Sequence, residues 1–381
     1  MKQFFRRLLK FVVYTAAGIL IALAIAVGLF RLFLPRLPEY QAEIKNWASS
    51  AIGMRVEFSG MNARWSLTGP ELAFYDAELN PIDATSSLIA AREVRVGVAL
   101  TRLLAEGALV VDSVVIRDSS IEVREAEDGR WLLQGQYVDE LLGSRDETDK
   151  PPPAIQVIAE DIDIVLLRPD EQAPLNFMLP RAVVGIDSKR IAVDGTLRLP
   201  AVLGRQLRLL ATQVVTVPSP DRHWDLRIEA DDVELAGWSA LQPDAARQFR
   251  SGSGDVDLAM EYANGGVRNA SANVSLVDVA LGDGEIFGVD GRFDVNLAAD
   301  GWLAAAEQLR LQTADGTWRD SSLRVEASTD DDDKIVMVDV RASYLNAGDA
   351  ALFAAWLSQE QREQFADLDP RGVITDLVAT I

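Results

Sequence analysis

The sequence predicts a mainly β protein in which a single N-terminal transmembrane helix precedes a long, curled antiparallel sheet with a few short helices. Residues 11–30 form a run without a single charge. From residue 94 onward, apolar and polar residues alternate with a period of two, which is typical of strands that have one apolar face. Helical patterns are few and short, at residues 39–51, 101–106, 134–142, 235–249 and 349–368.

The apolar run at 11–30 is long enough to cross a membrane, because its 20 residues rise about 1.5 Å each and span a hydrocarbon core of roughly 30 Å. Basic residues are in excess before the run, which predicts a cytoplasmic N-terminus and a periplasmic bulk. The basic residues that set this orientation are Lys2, Arg6, Arg7 and Lys10. A cleaved signal peptide is the alternative, with a small-residue site at Ala24-Ile25-Ala26, but cleavage there would leave an exposed apolar stub.

Four segments follow from these patterns. Residues 1–36 are expected to be the basic cytoplasmic start and the inner-membrane anchor, and residues 37–143 an N-terminal β portion with short helices. Residues 144–153 carry charges and three prolines, which predicts a linker or loop. Residues 154–381 are expected to form an elongated β-sheet array, which still alternates at Ile381 and is therefore interpreted as truncated at its C-terminal end.

The apolar residues of the alternating segments would share one face of this sheet. That face must pack against a second sheet, close into a barrel, or curl around something that is not protein. The apolar positions that define the face are Val94, Val96, Val98, Val114, Ile116, Ile121, Val123, Leu197, Leu199, Trp224, Leu226, Ile228, Val256, Leu258, Phe293, Val295, Leu297, Leu323 and Val325.

Composition excludes several function classes. The net charge of −21 makes a nucleic-acid partner implausible, and the lack of cysteine excludes disulfides, thiolate nucleophiles and Cys-ligated metals. The single histidine, His223, is more typical of a surface or packing residue than of a general base. Asp161 and Asp163 are expected on the solvated side of one strand, and the run 330–333 in a hairpin turn. The sequence therefore predicts no catalytic, metal-binding or cofactor-binding residues, and no enzyme.

Several segments occur in a specific order along the chain. Residues 44–79, IKNWASSAIGMRVEFSGMNARWSLTGPELAFYDAEL, combine a helix, a G-M-x-V strand and a strand with a W…GP.L…D..L pattern. A predicted strand pair then ends in Asp128-Gly129-Arg130-Trp131, and the segments at 291–318 and 368–381 follow. Together with the basic start and the apolar run, these segments resemble the bacterial AsmA-like family, and more closely its YhdP-type branch, which is related to TamB.

This resemblance implies a fold and a function. In the family, the strands form one long sheet rolled into a trough whose inner face is apolar, and the protein reaches from the inner towards the outer membrane. The resemblance implies phospholipid transport between the two membranes, with the apolar positions above lining the groove and with no cofactor. The implied partners are phospholipid, the inner membrane, and outer-membrane or other envelope proteins. Members of the branch are much longer, so the chain is interpreted as an N-terminal fragment.

Two other functions are compatible with the same pattern. An outer-membrane protein assembly or envelope scaffolding factor would act through exposed sheet edges. A closed sandwich acting as a structural module would bury every apolar face against protein. If the protein carries lipid, four tryptophans would line its groove: Trp65, Trp131, Trp224 and Trp302. Packing between sheet and helix is the more common role for such residues.

Overall fold

The structure, a computed structural model, covers most of the chain. It describes residues 18, 28, 40–52, 54–65, 70–81, 88–99, 110–126, 128–138, 154–169, 173–187, 189–214, 223–241, 249–263, 266–282, 284–298, 300–314, 316–330, 335–349, 352 and 371–380. The predicted membrane-spanning run at 11–30 lies outside these residues except for Gly18 and Gly28, and the predicted linker at 144–153 lies outside them entirely. In the part of the chain that is described, no helix is both long and apolar enough to cross a membrane.

The chain divides into two compact units. Unit 1 comprises Met1–Ser144 and Ile155–Ile162, and unit 2 comprises Arg145–Ala154 and Asp163–Ile381. The elements of unit 1 are α1 (Gln41–Ile52), β1 (Met54–Glu57), β2 (Gly60–Trp65), β3 (Pro70–Pro81), β4 (Ile89–Val98), β5 (Val111–Glu125), β6 (Trp131–Leu133), β7 (Gln136–Tyr137) and the part of β8 (Ile155–Leu167) that extends to Ile162.

Unit 1 is an antiparallel sheet centred on β3. Strands β1 and β2 pair with successive parts of β3 along one edge, and β4 and β5 continue the sheet from its other edge. The predicted helix at 39–51 is confirmed as α1 within two residues at its start and one at its end. The rings of Phe58 and Phe74 lie 4.9 Å apart between centroids. The buried cluster of this unit consists of Phe58, Met61 and Ala77, against which Ile44, Val56, Leu72, Phe74 and Val94 pack.

Unit 2 is an antiparallel meander. Its elements are β9 (Leu175–Ile186), β10 (Arg190–Arg198), β11 (Gln206–Val214), β12 (His223–Glu234), α2 (Leu235–Ala240), β13 (Phe249–Ala263), β14 (Gly266–Leu281), β15 (Phe287–Ala298), β16 (Gly301–Thr313), β17 (Gly316–Thr317), β18 (Ser321–Thr329), β19 (Ile335–Asn346) and β20 (Val373–Thr380). From β9 to β16 each strand pairs with the next in sequence, and β16, β18, β19 and β20 continue the ladder, with the short β17 attached to β16. The prediction of a mainly β chain with few short helices is confirmed.

Bulges interrupt the strands of unit 2 at recurring positions. The non-glycine residues of these strands with positive φ angles include Asp232 (50°), Asp278 (53°) and Gln308 (53°). A register shift accompanies each of them, because two residues of the bulged strand oppose one residue of its neighbour. The residue that follows each bulge is buried, as Val233, Val279 and Leu309. The bulges therefore return apolar side chains to the same face and bend the strands locally.

The predicted helix at 134–142 is wrong over its first residues. Gln134 and Gly135 have φ angles of 51° and 82°, which is the conformation of a two-residue hairpin turn. The turn joins β6 to β7, with Leu133 paired to Gln136. The helix predicted at 235–249 is described only as far as α2 extends, and Phe249 already belongs to β13. The helix predicted at 101–106 and most of that at 349–368 lie outside the described residues.

Candidate functional site

Two rows of apolar residues cross unit 2 on one face of its sheet. Each row takes one directly paired residue from every strand between β9 and β20 except the short β17, and paired residues of an antiparallel ladder lie on the same face. The first row is Val184, Val193, Ala211, Leu226, Met260, Ala270, Val295, Ala304, Val325, Val340 and Ala379. The second row is Ala182, Gly195, Leu209, Ile228, Leu258, Ala272, Phe293, Ala306, Leu323, Ala342 and Leu377. We call this surface the apolar face.

The opposite face of the same strands carries ion pairs. Arg227 Nη2 lies 2.8 Å from Asp257 Oδ2 across β12 and β13. The Arg208 guanidinium lies 3.2 Å from the Asp194 carboxylate, and the hydrogen bond between them raises the pKa of Arg208. These pairs are solvent-exposed, so they contribute solubility more than stability. The two faces of unit 2 therefore differ sharply in polarity.

The apolar face contains a cleft of about 800 Å³ that is lined by residues from β13 to β20. Its lining consists of Phe249, Val274, Leu276, Val279, Leu281, Phe287, Val289, Phe293, Asp294, Val295, Ala304, Ala305, Ala306, Leu309, Leu311, Trp318, Leu323, Val325, Leu345, Asn346, Ala347, Asp349 and Ile374. Exposure changes along β15, from 5% at Phe287 to 38% at Val295 and 41% at Leu297. The cleft is therefore open towards Val295 and closed towards Phe287.

A buried cluster forms the closed end of the cleft. Trp318 is 8% exposed, and its Nε1 donates a hydrogen bond of 2.5 Å to Oδ2 of Asp349, which is itself 7% exposed. Asn346 Nδ2 donates a second hydrogen bond, of 2.9 Å, to the same oxygen. The indole ring meets Tyr344 edge-on at 5.5 Å between centroids. The core residues around this cluster are Val279, Leu281, Phe287, Ala306, Leu309, Leu311 and Leu352.

The residues predicted for the groove in unit 2 fall on the apolar face wherever they belong to a strand. Leu226, Ile228, Leu258, Phe293, Val295, Leu323 and Val325 belong to the two rows above. Leu197 and Val256 share a third apolar row through Leu207 and Ala230, and Leu297 pairs with Trp302. Trp224 pairs with Tyr262, whereas Leu199 lies just beyond the end of β10. The cleft brings together four of the predicted residues, Phe293, Val295, Leu323 and Val325.

The predicted groove residues of unit 1 lie in β4 and β5. Val94 pairs with Ile116, and Val96 with Val114. Val98 is buried at 8% exposure and follows a register shift in the ladder. Ile121 and Val123 come after Asp118, whose φ of 49° interrupts β5 between the two pairs of predicted residues. Both Ile121 and Val123 are half-buried.

The polar candidates of the sequence lie on the surface. His223 sits between two carboxylates, 3.3 Å from both Asp225 and Glu261. Asp161 and Asp163 are exposed on either side of the buried Ile162, as predicted from the alternation. The run at 330–333 is described only at Asp330. Across the described parts of both units, no three His, Asp or Glu side chains are grouped to hold a metal ion.

Alternation along the sequence does not identify Trp318 or Asp349. Trp318 lies between β17 and β18, outside any alternating run, and Asp349 follows β19. Their hydrogen bond joins positions 31 residues apart in sequence. The available signal is the D-G-T-W segment at 315–318, in which a turn precedes a large aromatic residue.

Comparison with known proteins identifies the family of this chain. The family described as YhdP protein matches residues 1–381. The Escherichia coli (strain K12) protein named Intermembrane phospholipid transporter YhdP is 38% identical to the chain over 71 residues. The matched stretch is 19% of this chain and only 6% of that relative. Because the family match extends over the whole sequence, this chain belongs to the YhdP family.

Proposed function

We propose that this chain carries phospholipid by holding acyl chains on the apolar face of unit 2, within a protein that is anchored in the inner membrane and works between the two membranes. The observation that carries the proposal is the pair of uninterrupted apolar rows, which open into the cleft of about 800 Å³. The name of the Escherichia coli relative, an intermembrane phospholipid transporter, supports the same substrate class.

The physical reason is the cost of exposing acyl chains to water. Burial of each methylene is worth about 0.8 kcal/mol, so a two-chain phospholipid does not cross an aqueous compartment unaided at a useful rate. A continuous apolar face lowers this cost at every step along the sheet. The ion pairs on the opposite face keep the same strands soluble, and the headgroup stays in water at the open side of the cleft. Transport along such a face requires no covalent chemistry.

The anchor completes the proposal. The uncharged run at 11–30, preceded by Lys2, Arg6, Arg7 and Lys10, would hold the N-terminus in the cytoplasm and the two β units in the periplasm. The groove residues of unit 1, in β4 and β5, would receive lipid near the inner membrane.

Photocrosslinking in cells tests the carrier function. A photoreactive residue is placed at Val295 or Val325 in the intact protein, and adducts are identified by mass spectrometry. We expect phospholipid adducts at both positions. The matched controls are Arg324, which neighbours Val325 on the opposite face, and Arg227.

The outcomes separate the three functions considered. Phospholipid adducts on the apolar face with none at the arginines support the carrier. Adducts within the chain alone would mean that the apolar face is covered by protein, as a structural module requires. Adducts to outer-membrane proteins would instead favour the assembly factor.

A further inference from the structure

The cleft in unit 2 has a direction. On β16, burial increases from the half-buried Ala304 to Leu311, which is 2% exposed, and on the antiparallel β15 it decreases from Phe287 to Leu297. Both gradients run along the strand axis, perpendicular to the apolar rows. A ligand in the cleft therefore has one end in the open region near Val295 and the other end at the closed region near Trp318.

We infer that Trp318 limits how far an acyl chain enters this cleft, so that Trp318 determines which chain length the site prefers. This inference rests on the proposed carrier function and concerns its substrate class. Trp318 would thus be a specificity-determining residue, and the lipid headgroup would lie at the open end of the cleft.

The indole ring is held in place from three directions. Its Nε1 donates to Asp349, Tyr344 contacts it edge-on, and its backbone N–H donates a hydrogen bond of 2.8 Å to the carbonyl oxygen of Leu311. The guanidinium of Arg319 covers the ring of Tyr344 at 4.7 Å, which restricts that partner as well. Because it is fixed in this way, the indole forms a rigid wall rather than a side chain that moves aside.

The polar groups at the closed end support an acyl chain rather than a headgroup there. Asp349 is buried, and its Oδ2 already accepts hydrogen bonds from Trp318 and Asn346. The carboxylate therefore positions the indole. Nearly all other lining residues are apolar, with only Asp294 and Asn346 as additional polar members.

The dimensions of the site suit one acyl chain. From Phe287 to Val295 the strand extends about 25 Å. One leaflet of a bilayer accommodates its acyl chains in about half of a 30 Å hydrocarbon core. The cleft is thus deep enough to take a whole acyl chain along β15, and once the terminal methyl group meets the indole, each further methylene would have to displace the ring or stay outside the cleft. Since one buried methylene changes the relative occupancy about fourfold, the position of this wall has a measurable effect.

Competition between lipids of different chain length tests the inference. The intact protein in detergent is offered an equal mixture of phosphatidylethanolamines that differ only in acyl chain length, and bound lipid is quantified by mass spectrometry. For Trp318→Phe we expect the ratio of longer to shorter chains to rise by about fourfold per methylene gained. Asp349→Leu removes the acceptor that holds the indole and should shift the ratio in the same direction.

The matched control is Trp302→Phe, the same chemical change at the open end of the same face, where Trp302 pairs with Leu297. It should leave the ratio unchanged. If the wild type and both closed-end variants bind lipid with the same chain-length ratio, Trp318 does not limit the chain and the inference is wrong, although the carrier function stands. If the wild-type protein binds no phospholipid, the proposed function fails together with the inference.

Discussion

Removing the indole N–H of Trp318 should destabilise the closed end of the cleft. In Trp318→Phe, the buried carboxylate of Asp349 loses the donor that lies 2.5 Å away and keeps the one from Asn346. A hydrogen bond to a charged group contributes about 1.5–3 kcal/mol, and part of the aromatic contact with Tyr344 is also lost. We therefore expect the free energy of local unfolding to fall by about 2 kcal/mol. Hydrogen exchange measured by mass spectrometry on peptides from β18 and β19 should accelerate about 30-fold, since each 1.4 kcal/mol corresponds to a factor of ten.

A double-mutant cycle decides whether the hydrogen bond is responsible. Asp349→Leu alone leaves the indole N–H without its acceptor, whereas the double variant removes both polar partners. The combined loss should therefore be smaller than the sum of the single losses by about 1–2 kcal/mol. Strictly additive losses would refute the reasoning, because they would show that the indole and the carboxylate do not stabilise each other.

Three further predictions concern other parts of the fold. The hydrogen bond from Arg95 lowers the pKa of Glu93 below its ordinary value of 4.5. The stability that ionised Glu93 contributes is therefore complete above pH 4.5 and is lost as the pH falls through the lowered pKa. In Glu93→Gln, the melting temperature of unit 1 should depend less steeply on pH in the acid range. Asp278→Val should lower the midpoint of urea unfolding, since a β-branched residue tolerates the φ of 53° poorly, whereas Asp278→Gly should be close to neutral. Gly301→Ala should unfold β16 locally and expose it to proteolysis, because a Cβ at this φ of 151° would overlap the carbonyl oxygen of Ala327; normal protease resistance would contradict this expectation.

The faces of the sheet could be predicted from the sequence, and the reason is specific. A period of two places Leu226 and Arg227 on opposite sides of β12 whatever the strand pairs with. The strand partners keep the two faces apart: although residues 235–248, which include α2, join β12 to β13, the structure pairs Leu226 with Met260 and Arg227 with Ala259. Local alternation was therefore sufficient for the surface that carries the proposed function.

The bulges and the closed end of the cleft could not be predicted in this way. A bulge depends on the backbone of a single residue, and Asp278 reads as an ordinary polar position within an alternating strand. The structure suggests a usable signal, in which an aspartate is followed by an apolar residue and a second apolar residue lies two positions after the first. The segment Asp278-Val279-Ala280-Leu281 is an example. The contact between Trp318 and Asp349 has no such local signal, because it depends on how a segment after β19 returns to the sheet.

Because unit 2 is a meander, the number of its hairpins determines the length of the apolar face across the strands. Apart from the short β17, each strand of the meander pairs with the next one along the chain and adds one residue to each apolar row. One additional hairpin would extend each row by about 10 Å, because neighbouring strands lie about 4.8 Å apart. Apolar and charged faces would remain in phase, since a hairpin restores the original strand direction. Gene duplication of paired strands would thus lengthen the apolar face while the pairing of the existing strands stayed the same.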